Sequence, residues 1–178
     1  MKNPAKPKLP VWLIAMILAA VAMFALLVVN FVAVRSKPDD EAQIRAAIEE
    51  MRVASLENKP GGVQKYLSES FELPEGVVSG EGMFDNPKAQ VATFIRKANF
   101  SELKIGDIKV QITQGAAIAT VHASGSLSYP PLPNEFSFDF PEMQIEFKRE
   151  MRKRLLVIDD PTWSVVRVFG VRLEDIGQ

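Results

Sequence analysis

His122 is the only histidine of the 178-residue chain. It is also the one side chain whose ordinary pKa falls between pH 5 and 8. A general base needs a second group to hold its tautomer and aim its ring. At strand spacing, His122 shares a face with Ile118, Thr120, Ser124 and Ser126, and none of these supplies a carboxylate. The plain reading is a polar residue on a mixed sheet face. Asp107 is a second candidate, because a kink at Gly106 could turn it inward and burial would raise its pKa. Arg149 and Arg167 each interrupt an apolar parity, and a guanidinium facing a pocket can grip an anion with two parallel hydrogen bonds. Equally, long basic stems can lie along a sheet margin with their charge in water. These four are candidate pocket residues, and no residue is assigned a catalytic role.

Phe136, Phe138 and Phe140 alternate with Ser137 and Asp139. They read either as one more core strand or as an apolar rim that meets a partner or a membrane. The run Lys148–Arg154 is the one basic cluster, split by Glu150, and fits a charged face of an antiparallel sheet. Pro130–Pro133 reads as a stiffened loop. No phosphate-binding glycine loop, HExxH, GxSxG or acidic calcium loop is present. With no cysteine anywhere, disulfides, thiolate metal sites and thiol catalysis are excluded. Neither a metal nor any other cofactor is expected.

The elements that must position these residues follow from period. Ile44, Ala47, Ile48, Met51 and Ala54 recur every three or four residues, which predicts an amphipathic helix over 38–57. Ser36 is its expected cap, and Pro60-Gly61-Gly62 ends it. A short second helix carries Val63, Tyr66 and Leu67. Val77 and Val78 suit a short strand. Asn86-Pro87 starts a third helix, with Val91, Phe94, Ile95 and Ala98 on its buried face. From there the period is two. Leu103 and Ile105 take one parity and Ile108, Val110 and Ile112 the other, so a bulge is expected near Gly106. Gln114-Gly115 turns the chain into a strand over Ala117–Ser128. A long strand then places Met143, Ile145, Phe147, Met151, Leu155 and Val157 on one face. Gln144, Glu146, Lys148, Glu150, Arg152 and Arg154 take the solvent face. Asp159–Pro161 is the expected turn into a last strand with Trp163, Val165, Phe169, Val171 and Leu173. Helices followed by antiparallel strands make an α+β domain.

The N-terminus differs in kind. Nineteen consecutive apolar residues run from Val11 to Val29, and Phe31–Val34 continue them after Asn30. A helix over 11–34 would span about 36 Å, enough for a hydrocarbon core of about 30 Å. The run is too long for a cleaved signal peptide, and FVAVRSK makes a poor cleavage site. We therefore expect a basic flank over 1–10, a single transmembrane helix over 11–34 and a soluble domain over 35–178. Lys2, Lys6 and Lys8 precede the helix, against Arg35 and Lys37 after it, which favours the N-terminus inside and the domain outside the cytoplasm. All 22 acidic residues follow residue 34, against 18 of the 21 basic ones, so the soluble part carries −4. That sign argues against nucleic acid as a partner.

The long helix over 38–57, the short helix ending in KYLSESF, the helix NPKAQVATFIRK and the closing hairpin MQIEFKREMRKRLLVIDDPTWSVVRV carry a resemblance. Their order resembles the nuclear-transport-factor-2-like superfamily, also called SnoaL-like or ketosteroid-isomerase-like, over nearly all of residues 38–174. The resemblance implies a cone: about three helices packed on a strongly curved antiparallel sheet, with a pocket at the open end. Members similar to ketosteroid isomerase use an acid as base with tyrosine donors. The two tyrosines here, Tyr66 and Tyr129, lie in no matching strand context. The expected function is thus a membrane-anchored, non-catalytic binding or assembly module. Its partners would be the bilayer through residues 11–34 and either a membrane protein or further copies of itself. A small isomerase or cyclase-type enzyme using the cone pocket is the alternative.

Overall fold

The computed structural model describes residues 39–74, 86–130, 134–154 and 158–171. The expected anchor over 11–34, the cap Ser36, the short strand at Val77 and Val78, Pro131–Pro133, and Leu155, Val157 and Leu173 lie outside the described residues. Among the described residues no helix is long and apolar enough to cross a membrane.

Helix α1 spans Asp40–Leu56. Asp39 is its cap, its carboxylate accepting from the Ala42 amide at 2.7 Å, and Asp40 and Glu41 suit the positive end of the helix dipole. Its buried face is Ile44, Ala47, Ile48 and Ala54, as the 3.6-residue period predicts. Helix α2, Pro60–Gln64, is one short turn that crosses α1 closely. A β-carbon at Gly62 would come within 2.6 Å of the Ala54 β-carbon, so glycine is what lets the two helices touch. Helix α3, Pro87–Lys97, opens on an Asn86 cap with proline in its first turn. Its Ala92 and Ile95 are buried, and Ile95 meets Ala54 and Val63. Phe94, expected on the same buried face, is 41% exposed and instead stacks on Tyr129 with ring centroids 5.4 Å apart.

Four antiparallel strands follow in sequence order: β1 Asn99–Thr113, β2 Ala116–Ser128, β3 Glu135–Arg154 and β4 Ile158–Phe169. Bulges curve this sheet. One lies between Gly106 and Lys109 of β1, at the expected kink, with Asp107 in the left-handed region at φ 49°. Another interrupts β3 where Pro141 and Glu142 stand between the pairs Ala123–Phe140 and Val121–Met143. Proline cannot donate to a ladder, and a bulge is where a strand can hold one. Asp159–Pro161, expected from sequence as a turn, lie instead within β4, with Pro161 opposite Met151. In this register Asp160 stands opposite Arg152 and Asp159 opposite Lys153. Both aspartates therefore lie within the β3–β4 ladder.

The core lies between α1 and the concave face of the sheet. Ile44, Ala47 and Ile48 meet Ala117, Ala119, Val121, Phe147, Trp163 and Val165. Ile44, Ala119, Val121 and Phe147 have no exposed surface at all. Outside β4, the chain after α2 runs parallel to the strand. Ser68 donates its amide to Val165, Val165 donates to Tyr66, and Glu72 donates to Val166. This segment closes the edge that β4 would otherwise expose.

Candidate functional site

β2 alternates regularly from Ala117 to Ala123, with Ala117, Ala119, Val121 and Ala123 turned to the core. His122 is therefore on the convex face, with Thr120 and Ser124. The bulge in β3 brings Asp139 beside it: His122 Nε2 lies 2.5 Å from Asp139 Oδ1. The carboxylate absent from the local sequence is supplied across the sheet, 17 residues away. A carboxylate on one ring nitrogen holds an imidazole in one orientation, as general acid–base work requires. The setting is open, however: 40% of the histidine side chain and 68% of the aspartate side chain are exposed. The pair stands on the far side of the sheet from the core.

The other candidates are dispersed. Asp107 is exposed in the β1 bulge, one residue past Gly106, the cross-strand partner of His122. The kink turns it outward to solvent, against the inward turn weighed from sequence. Arg149 has the parity of Phe147 but lies beyond the end of the core. Its guanidinium is 3.4 Å from Asp40 and stacks 5.9 Å over the Trp163 ring. Trp163 in turn donates its indole N–H to Asp40 at 3.1 Å. Arg167 pairs with Glu72 and lies over Phe169. Each arginine is thus held by an acid of another element, and the structure does not gather the four candidates into one pocket.

Phe136, Phe138 and Phe140 face the concave side, opposite Leu127, Gly125 and Ala123. Phe140 is buried and the other two are half-buried. Phe138 and Phe140 stack with centroids 5.4 Å apart. Gly125 makes room for this: a β-carbon there would meet the Phe138 ring at 3.0 Å and collide with the Glu102 carbonyl. Phe94, Phe100 and Tyr129 form a second aromatic group where α3 meets the start of β1.

Sequence reading missed one polar cluster. Glu150 and Arg152 were expected on a solvent face, yet the segment after α2 folds over them. Ser68 is fully buried and donates to Glu150 at 2.5 Å. Arg152 donates to the Leu67 carbonyl at 3.1 Å, to the Lys65 carbonyl and to the hydroxyl of fully buried Ser164 at 2.9 Å. The only trace of this in the sequence is the serine pair of LSES. A separate open groove of about 330 Å³ lies between α1 and α2, with Val53, Ala54 and Gly62 in its lining. Its rim is already paired. Glu50 binds Lys65 at 2.5 Å and Tyr66 at 2.7 Å, Glu49 binds Arg52, and Glu57 binds Lys59. The Lys65 hydrogen bond, then that of Tyr66, holds the Glu50 carboxyl below its usual range. Among the described residues no group of three or more histidine, aspartate or glutamate side chains could hold a metal ion.

No family model matches the chain, and no curated protein matches it by sequence. Solved structures do. An NTF2-like protein of unknown function in nutrient uptake from Rhodospirillum rubrum superposes with a TM-score of 0.55 at 17% identity, over 71% of this chain and 94% of that one. The domain has the NTF2-like fold. An NTF2-like protein from Cytophaga hutchinsonii gives 0.51 at 15% identity, over 74% and 97%. A ketosteroid isomerase-like protein from Erwinia carotovora atroseptica gives 0.50 at 13%, over 75% and 95%. At such identities the likeness reaches the NTF2-like architecture and stops before chemistry.

Proposed function

We propose that the protein is a membrane-anchored binding or assembly module without catalysis, held by a transmembrane helix over 11–34 with its domain outside the cytoplasm. The observation that carries this reading is the filled interior. The space between α1 and the concave face is occupied by Ile44, Val121, Phe147 and Val165, all buried to 2% exposure or less. Proton transfer inside the cone would need an ionisable group there with a partner. His122 and Asp107, the groups best suited to it, face away from that interior. What the domain offers instead is surface: aromatic side chains at one end of the concave face and a long strand. A tether confines such a surface to the membrane and raises its effective concentration toward neighbours there.

One observation favours the second reading, a small isomerase or cyclase-type enzyme. It is the 2.5 Å contact of His122 with Asp139. Complementation of a deletion strain separates the two. His122→Ala and Asp107→Asn, each at wild-type membrane abundance, are expected to restore function in full. A stably inserted variant of either kind that restores none overturns the module reading.

A further inference from the structure

Strand β3 outruns its neighbour β2. β2 ends with Ala116 opposite Lys148, and from Arg149 to Arg154 β3 pairs with β4 alone. This two-stranded ribbon extends roughly 17 Å past the end of β2, at about 3.3 Å per residue. Its root lies at the start of α1, where the Arg149 guanidinium is 3.4 Å from Asp40. α1 runs the other way, since Arg52 near its end donates to the Leu103 carbonyl, on the far half of β1, at 3.2 Å. The body of the domain and the ribbon thus lie on opposite sides of Asp40. Charge follows the same division. Lys148–Arg154 holds five basic residues and one acid, and the facing Ile158–Thr162 holds two acids. The ribbon is net positive within a soluble part that carries −4. Lys148 is exposed with no acid partner among the described residues. Met151, at 66%, is the most exposed of the large apolar side chains described.

We propose that this ribbon lies against the bilayer that holds the anchor, with Met151 in the headgroup layer and its cations on anionic lipid phosphates. The inference rests on the reading of the protein as membrane-anchored and names a second contact with the same membrane. Chain length carries it. Only residues 35–38 separate Val34, the last residue of the expected anchor, from Asp39. Five steps of extended chain span at most about 18 Å. The start of α1 therefore stays within that distance of the end of the anchor. A ribbon of roughly 17 Å that points away from the body of the domain reaches the surface. The acids at this end are engaged within the domain. Asp39 accepts from the Ala42 amide, Asp40 from Trp163 and Arg149, and Glu41 from Arg45. An exposed apolar side chain among cations suits the boundary between headgroups and acyl chains, where each finds its own solvent. Two contacts, anchor and ribbon, fix a tilt that one joint would leave free. They hold the aromatic end of the concave face, at the other end of the sheet, away from the surface and open to a partner.

The chain contains no cysteine, so one introduced cysteine can carry a nitroxide label. The full chain is reconstituted in nanodiscs of mixed phosphatidylglycerol and phosphatidylcholine. The label is placed at Met151→Cys or, at the far end, at exposed Asn99→Cys. A label against lipid relaxes with dissolved oxygen and is shielded from a water-soluble nickel chelate. The Met151 label should be shielded and the Asn99 label open. Lys148→Glu should lower the ratio of shielded to open Met151 label about five-fold, the change that about 1 kcal/mol per basic residue near an anionic surface gives. Discs of phosphatidylcholine alone should lower it further. A Met151 label as open to nickel as the Asn99 label overturns the contact. A shielded label indifferent to phosphatidylglycerol and to Lys148→Glu overturns the recognition of anionic headgroups. A chain that does not enter the discs overturns the anchor, and the ribbon contact with it. The first two failures leave the module reading standing, because that reading is decided by the His122 and Asp107 variants.

Discussion

The Ser68 hydroxyl donates to Glu150 at 2.5 Å across 82 residues of sequence. With Arg152 it binds the segment after α2 over the β3–β4 pair. Glu150→Ala would remove the acceptor and leave a fully buried hydroxyl with Ser70 alone. A hydrogen bond to a charged group contributes about 1.5–3 kcal/mol. Denaturant titration of the full chain in mild detergent should show a loss of that size, and Ser68→Ala together with Glu150→Ala should cost less than the two separate losses added. Additive losses would mean the two side chains do not act on each other.

Phe147 has no exposed surface and contributes to the centre of the core. Phe147→Ala should destabilise by about 3–5 kcal/mol through lost contact and a residual cavity. Met151, four residues on and of the same parity, is 66% exposed. Met151→Ala should change stability by less than about 0.5 kcal/mol. Comparable losses from both would contradict the end of the core at Arg149.

The apolar faces of α1 and of the sheet satisfy each other within residues 39–171. A fragment over 38–178 is therefore expected to be soluble and to melt in one cooperative transition followed by circular dichroism. Aggregation, or a melt without cooperativity, would show that the domain needs the rest of the chain.

Glu50 joins α1 to Lys65 and Tyr66, and those hydrogen bonds hold its carboxyl below the ordinary value of 4.5. A group whose folded pKa is depressed adds stability above its unfolded pKa and loses it as pH falls through the folded one. Its contribution is thus complete at pH 7, starts to fall near pH 4.5 and is lost as the pH drops through the lowered folded value. The unsubstituted protein should lose more stability between pH 6 and pH 3 than Glu50→Gln does, with screening by salt reducing the difference. Equal acid sensitivity would remove Glu50 from the account.

Lys2, Lys6 and Lys8 precede the apolar run over 11–34. Alkaline phosphatase fused after Gln178 in a bacterial host should be active, because the positive flank stays inside. An inactive fusion alongside an active cytoplasmic reporter at the same site would reverse the orientation.

Local spacing carried the element order. The recurrence of Ile44, Ala47 and Ile48 is a property of one helix, the parity switch around Gly106 is a property of one strand, and Asn86-Pro87 caps its own helix. Each depends on residues within four positions of one another, so each is legible without knowing what lies beside it. Register and cover are different. Asp139 meets His122 only because β2 and β3 pair with a bulge at Pro141 and Glu142. Glu150 and Arg152 have the parity of a solvent face, but a segment more than 80 residues earlier folds over them. Asp159 and Asp160 read as a turn until Lys153 and Arg152 stand opposite. The sequence by itself determined the helices, the strand faces and the likeness to an NTF2-like cone. Only the tertiary structure decided which charges pair and which face is covered, because those depend on contacts between strands whose spacing in sequence has no period.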